Sequence, residues 1–489
     1  MRDISLVKVR NFVLLGHTGS GKTSLLDAII YKQESSDRHG SPEDGTSALD
    51  YTDEEKAHKI SIWAKPYETI YKTRAGNNIN IVAIDTPGYV DFFGQVIAAS
   101  TVSDSAIIVV DAQSGIQVGS NRAWRQCVKR GLPRAVVITG LDKDNVDFDA
   151  ALSAIQGVWG QACVPVVIPA SDGSCVIDVL STKDVPEDLV EKVNEIKGRL
   201  IEYAAETDDG LIEKYLGGED LSAEEVAVGL HGAVHSGNLI PVFVTSSKTS
   251  MGIDELLEGI SLLLPSPLDI EVKDADDRVV DPNPERPFSG FVWRSINDPY
   301  MGQLTFLRVL SGTLRADSEI FNSTKERKER VGHLYIVNGK EQKEISEAEA
   351  GDIVAIPKLK HTALNDSLCE VGQNLWFPPI EFPQPVTTYA VEPKTQGGED
   401  KMAAALHRIA DEDSTITVHR NAETHELILS GMGDVQLDIA VEKMKKRSHV
   451  DVVLHTPKSL IKKRLPLKVK GTISTRNSRV DEANMAEFI

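Results

Sequence analysis

Apolar positions follow two different rhythms along this chain, and each predicts a different kind of element. The first half carries short, continuous apolar runs: Phe12-Val-Leu-Leu15, Ile79–Ile84, Ala106–Asp111, Ala135–Thr139 and Ile240–Val244. Runs of this length, with no polar face, predict strands buried on both sides. Helical spacing around Trp124–Lys129 falls between two of them. The order strand–helix–strand then predicts a parallel, doubly wound α/β sheet. Beyond residue 283 the rhythm changes to alternation. Pro287–Trp293 and Gly302–Gly312 read as alternating strands of a small barrel, one face wet and one dry.

Length and composition narrow the class further. A chain of 489 residues holds about three domains. Its 41% hydrophobic and 26% charged content is ordinary for a soluble globular protein, and no apolar run approaches a membrane span. Cys127, Cys163, Cys175 and Cys369 have no metal-ligand spacing and fit a reducing cytoplasm, as small and mostly buried side chains. The net charge of −20 argues against a general nucleic-acid coat. Two basic runs, Lys325–Arg330 and Lys443–Arg447, are local candidates for RNA docking, and as isolated charge runs they are expected to be solvated faces.

The chemistry gathers after the first apolar run. Gly16-His17-Thr18-Gly19-Ser20-Gly21-Lys22-Thr23 joins that strand to the helical run Ser24–Ile30. The glycines let backbone N–H groups close around phosphate oxygens. Lys22 reaches the β- and γ-phosphates, and the Thr23 hydroxyl is placed to ligate Mg²⁺ at a helix N-terminus. Asp85-Thr86-Pro87-Gly88 ends a second strand. A carboxylate there can hold the metal's water shell, and Gly88 can offer its N–H to a γ-phosphate.

These motifs carry a resemblance. The phosphate loop, Leu49–Ile62, Asp85–Phe92 and Trp124-Arg125-Gln126 together are similar to elongation factor G, and more closely to the elongation-factor-G-like paralogues, which share a segment like Glu206–Tyr215. The resemblance runs from residue 1 to about 458. It implies an α/β P-loop GTPase domain at 1–266 with an insert at about 170–238. A β-barrel domain at 283–380 and a small α/β sandwich domain at 384–458 would follow. The implied cofactors are GTP or GDP and Mg²⁺. The implied partner is the ribosome, engaged by a cytoplasmic monomer with no membrane or DNA partner. By the same resemblance, Gly16 to Lys22 hold phosphate, Thr23, Ser61 and Asp85 serve the metal, and Gly88 meets the γ-phosphate. Thr139, Asp142, Ser246 and Ser247 serve guanine. Lys22, Gly88 and Tyr89 are the expected catalytic set, with Tyr89 facing the attacking water.

Several positions depart from the family. Tyr89 stands where a histidine is usual; a phenol donates one hydrogen bond but is a poor base at neutral pH. Two readings follow: slow hydrolysis, or ordinary hydrolysis by positioning alone. Gly19 replaces an aspartate, and Ser61 a threonine. The family's guanine motif N-K-x-D appears as Thr139-Gly140-Leu141-Asp142. Asp142 can still accept two hydrogen bonds from guanine, whereas Gly140 removes the stem that would cover the base. Guanine preference with reduced affinity is expected, and lost discrimination is the alternative. A ribosome-binding module without turnover, or a release-factor or ribosomal-protection GTPase, are the rival functions.

The resemblance stops after Pro457-Lys458. Read one base out of phase, Lys458 onward back-translates to V-P-Y-K-E-T-I, and Thr475–Ala486 to K-K-Q-S-G-G-R-G-Q-Y-G. Both strings resemble the family's passage from its third into its fourth domain. The expectation is a base missing near the Lys458 codon, an aberrant tail at 459–489 in place of domains four and five, and GTP binding without translocation. The rival is a genuine short tail.

Overall fold

The computed structural model describes residues 6–33, 38–298, 301–394 and 398–458. The tail, 459–489, lies outside the described residues.

The apolar runs of the first half become the strands β1 (Val9–Gly16), β2 (Lys65–Lys72), β3 (Asn78–Asp85), β4 (Ser105–Asp111), β5 (Arg134–Thr139), β6 (Cys163–Pro165), the hairpin β7 (Val167–Pro169) with β8 (Val176–Asp178), and β9 (Ile240–Val244). Seven form one sheet in the order β2-β3-β1-β4-β5-β9-β6, parallel except for β2 against β3. β4 and β9 are buried along their whole length, as continuous apolar runs require when helices cover both faces.

The helices are α1 (Lys22–Lys32), α2 (Asp53–His58), α3 (Phe93–Thr101), α4 (Val118–Arg130), α5 (Phe148–Trp159), α6 (Val190–Ala205), α7 (Asp209–Leu216), α8 (Ala223–His235) and α9 (Ile253–Leu263). The chain leaves β1 toward β3 on one side and later returns to β4 on the other. The crevice at the carboxyl end of β1 is therefore the topological switch point, the usual ligand position in such sheets.

A β-rich region follows, with an eight-stranded antiparallel sheet and a two-stranded one. Its strands Ser289–Asp298 and Gly302–Ser311 differ from the expected alternation: seven consecutive residues of the first, Ser289–Ser295, are buried. Successive side chains belong to two cores. Val292 and Leu307 fill the barrel interior, while Phe291, Trp293 and Phe306 join the core that contains the α/β sheet. The outer barrel face is dry because another domain covers it. Arg308 seals that junction by donating to both Asp104 oxygens, at 3.0 and 2.9 Å, with both partners buried.

The last region is a four-stranded antiparallel sheet, from Thr387–Pro393 to Val452–His455, packed against α10 (Glu399–Glu412) and α11 (Asp434–Ser448). This is the α/β layer that the resemblance implied. Of the two basic runs, Lys325–Lys328 is exposed, and in the second Lys445, Lys446 and Arg447 are exposed as expected, whereas Lys443 departs from that expectation. Lys443 is buried, ion-paired to Glu412 and 4.3 Å over the Trp63 ring. A lysine can enter a core when a carboxylate and an aromatic face replace its water. Cys127, Cys163 and Cys369 are buried; Cys175 is exposed.

Candidate functional site

The loop between β1 and α1 is shaped by backbone that only glycine adopts readily. Gly16, Gly19 and Gly21 have φ of 150°, 73° and 89°. At Gly16 a Cβ would stand 2.5 Å from the Val109 carbonyl oxygen, so a side chain there would push the loop off β4. Lys22 curls back over the loop, donating to the His17 carbonyl at 2.8 Å and the Gly16 carbonyl at 3.3 Å. Burial pushes its ammonium below the ordinary lysine range, against the pull of Asp85 and Asp50. His17 accepts from the Gly119 N–H through Nδ1 at 3.3 Å, which leaves Nε2 as the protonated nitrogen when the ring is neutral. The Ser20 carbonyl accepts from Thr139 Oγ1 at 2.7 Å, and the Ser20 hydroxyl is buried with no partner among the described residues. Thr18 forms the outer turn against Gly88, where a Cβ on Gly88 would lie 2.5 Å from the Thr18 nitrogen. The strand-end glycine thus sits directly on the phosphate loop.

Thr23 connects three segments distant in sequence. Its Oγ1 donates to Asp85 Oδ2 at 2.7 Å and lies 3.0 Å from Ser61 Oγ, which donates in turn to Asp50 Oδ2 at 2.9 Å. Asp85 is 1% exposed, and its other oxygen has no partner among the described residues. Burial, and then the neighbouring Asp50 charge, push its carboxyl well above the usual range. An all-oxygen donor set with an unsatisfied buried carboxylate oxygen is the chemistry that a hard cation such as Mg²⁺ satisfies.

Asp50 was not singled out from the sequence. The signal available was its place at the head of Leu49–Ile62, just before the acidic first turn of α2. Glu55 holds that segment in shape. It closes a capping box with Thr52, accepts from the Ile62 N–H at 3.2 Å and pairs with Lys65, which also lies 3.7 Å from Asp50.

At the opposite end, Asp142 Oδ1 accepts from the Ser246 hydroxyl at 2.6 Å. The Ser246 N–H donates to the Met251 carbonyl at 3.0 Å and is occupied within its own loop. The Ser247 hydroxyl is buried with no partner among the described residues. Thr139 reaches the phosphate loop through its hydroxyl bond to the Ser20 carbonyl. Tyr89 lies on the rim, 37% exposed, its hydroxyl without a hydrogen bond among the described residues.

Both segments flanking the oxygen cluster of Thr23, Ser61 and Asp85 carry the third region. Ile62 and Phe92 pack with Ile439 of α11, with Ile60, Trp63 and Val435 around them. His58 meets Glu442 at 3.0 Å, Glu54 meets Lys446 at 3.0 Å, and Asp91 accepts from the Gln436 N–H at 3.3 Å.

A glycine-rich loop at the switch point of a parallel sheet, beside a threonine, a serine and two buried aspartates, defines a P-loop nucleotide-binding domain. Comparison with known families assigns it. Residues 7–266 match the elongation factor Tu GTP binding domain, 287–371 match elongation factor G domain 2, and 382–456 match elongation factor G domain III. A crystal structure from Thermus thermophilus superposes with a TM-score of 0.82 at 32% identity, covering 92% of this chain and 68% of that one. The chain belongs to the elongation factor G family of translational GTPases.

Proposed function

We propose that this protein binds GTP with Mg²⁺ and hydrolyses it while engaged with the ribosome. The observation that carries the reading is the meeting of Thr23, Ser61 and Asp85 within hydrogen-bond distance, from three separate segments, beside a buried lysine. Bound there, Mg²⁺ would offset charge on the β- and γ-phosphates. Thr23 and Ser61 would hold it directly, and Asp85 through its water.

The chain's own groups do the positioning. Loop N–H groups and the α1 N-terminus receive phosphate oxygens. Lys22 trades its two carbonyl partners for phosphate oxygens, a stronger charge-assisted pairing. Gly88, on the Thr18 backbone, can respond to an arriving γ-phosphate with its N–H. Asp142, held by Ser246, accepts from the guanine N1–H and amine. The contacts of α11 with 60–63 and 90–92 link both segments to the third domain, so nucleotide state and the docking of that domain depend on each other.

Tyr89 supports a second reading. Its exposed, unpartnered hydroxyl has no fixed place from which to orient water, which suits a nucleotide-dependent ribosome binder with little turnover. Phosphate release from GTP, measured with and without ribosomes, separates the two. A clear ribosome-dependent rise is expected. GTP-dependent ribosome binding with no rise would sink the enzymatic reading and leave the binder.

A further inference from the structure

We propose that Lys143 is the side chain that covers the face of the bound guanine, taking over the role left empty at Gly140. The inference rests on the guanine-nucleotide reading above and assigns a specificity residue within it.

The backbone explains how a residue three positions on can take that place. The Lys143 N–H donates to the Gly140 carbonyl at 3.1 Å, closing a tight turn over 140–143. The turn folds residue 143 back beside residue 140. Gly140 has φ of 81°, a conformation that favours glycine, and it is buried. A Cβ built on it would stand 3.2 Å from both Cδ and Cε of Lys143 and 3.0 Å from Asp111 Oδ2. The stem of Lys143 thus already fills the volume from which a side chain at 140 would depart.

Its far end is held in place. Lys143 Nζ pairs with Asp111 Oδ2, and Asp111 at the end of β4 is buried, its Oδ1 accepting from the Ser114 N–H at 2.9 Å. The loop itself is fastened on two sides. The Ala112 N–H donates to the Thr139 carbonyl at 2.9 Å, and the Thr139 hydroxyl reaches Ser20 of the phosphate loop. Asp142, the residue beside Lys143, is fixed by Ser246. One turn therefore presents a carboxylate for the edge of the base and a four-carbon stem with a cation for its face. A lysine over an aromatic ring contributes both apolar cover and attraction to the π-cloud. Asp111 is a positioning residue for that stem.

The test is titration of the full chain with fluorescently labelled GDP and ADP in the presence of Mg²⁺. Lys143→Ala is expected to weaken GDP binding by roughly three- to thirty-fold, the range a single lysine–ring contact spans. Lys143→Met keeps most of the apolar cover without the charge and is expected to recover part of that loss. Asp111→Asn is expected to weaken binding less than Lys143→Ala does. The proposal is overturned if Lys143→Ala binds GDP as the wild type does while Asp142→Ala loses it; the guanine reading then stands without Lys143. It is also overturned if Lys143→Met is as weak as Lys143→Ala, because the lysine then acts only as the ion partner of Asp111. Wild-type protein that binds GDP no better than ADP would remove the guanine reading and this proposal together.

Discussion

At the phosphate end of the site, Lys22, Thr23 and Asp85 are buried and held by partners from the loop after β1, the end of β3 and the segment around Ser61. At the end proposed to hold the base, Asp142 and Lys143 stand in an exposed turn, and each leans on one neighbour, Ser246 or Asp111. The first is over-determined: several distant segments converge, and burying polar groups there is costly unless every partner is in place. The second is loosely determined, so its motif can drift while a neighbouring residue compensates. Departures from the family pattern fall at both ends. In the buried cluster itself the change is small, Ser61 for threonine, whereas outside it the changes are larger: a side chain is lost at Gly19 of the phosphate loop and at Gly140, and Tyr89 stands for a histidine on the rim.

The largest effect should come from the over-determined end. Lys22→Ala removes a buried ammonium whose replacement partners are phosphate oxygens, each such charge-assisted bond being worth about 1.5–3 kcal/mol. Binding of GDP and GTP should fall roughly a hundredfold or more, measured by calorimetry on protein whose circular dichroism is unchanged. A loss of only a few-fold would mean that the two ends contribute alike.

Next in size is a test of what burial costs at this end. Asp27 of α1 lies beneath residues 40–48, accepting from the Ala48 N–H at 3.0 Å. Burial pushes its carboxyl up to about 6, against the hydrogen bonds from Ser47 and Ala48. A carboxyl raised on folding binds a proton more readily in the native state than in the unfolded one. Its contribution to stability is therefore best below about pH 4 and declines as pH rises through about 6. Asp27→Asn should remove that decline and leave the variant about 1–3 kcal/mol more stable than wild type at pH 7, with no such gain near pH 4. Urea melts at the two pH values check this, and equal differences at both would show that the carboxyl is not protonated on folding.

The smallest expected change is at Ser61. Ser61→Ala deletes one hydroxyl from the oxygen cluster and leaves Thr23 and Asp85 paired at 2.7 Å. The Mg²⁺ concentration needed for half-maximal GTP binding should rise about tenfold, the worth of roughly one polar contact. GDP affinity without Mg²⁺ should not move. An unchanged Mg²⁺ requirement would show that Ser61 touches only Asp50 and Thr23.

What the residues disclosed on their own was whatever depends on near neighbours along the chain. Continuous apolar runs become the central strands because burial on both faces needs no polar alternation. The glycine-rich loop and Asp85–Gly88 were legible because their backbone demands are met within a few residues. Three features depended on tertiary structure. Ser289–Ser295 is buried on both faces because a second domain covers its outer side, which no period within seven residues can encode. Lys443 turns inward because Glu412 and Trp63 wait for it, from elements 31 and 380 positions away in sequence (443 − 412 and 443 − 63). Asp50 joins Ser61 across a segment that Glu55 holds in shape. Periodicity and backbone preference are local quantities written in the order of residues. Which polar group meets which across the molecule is decided by the sum of the packing.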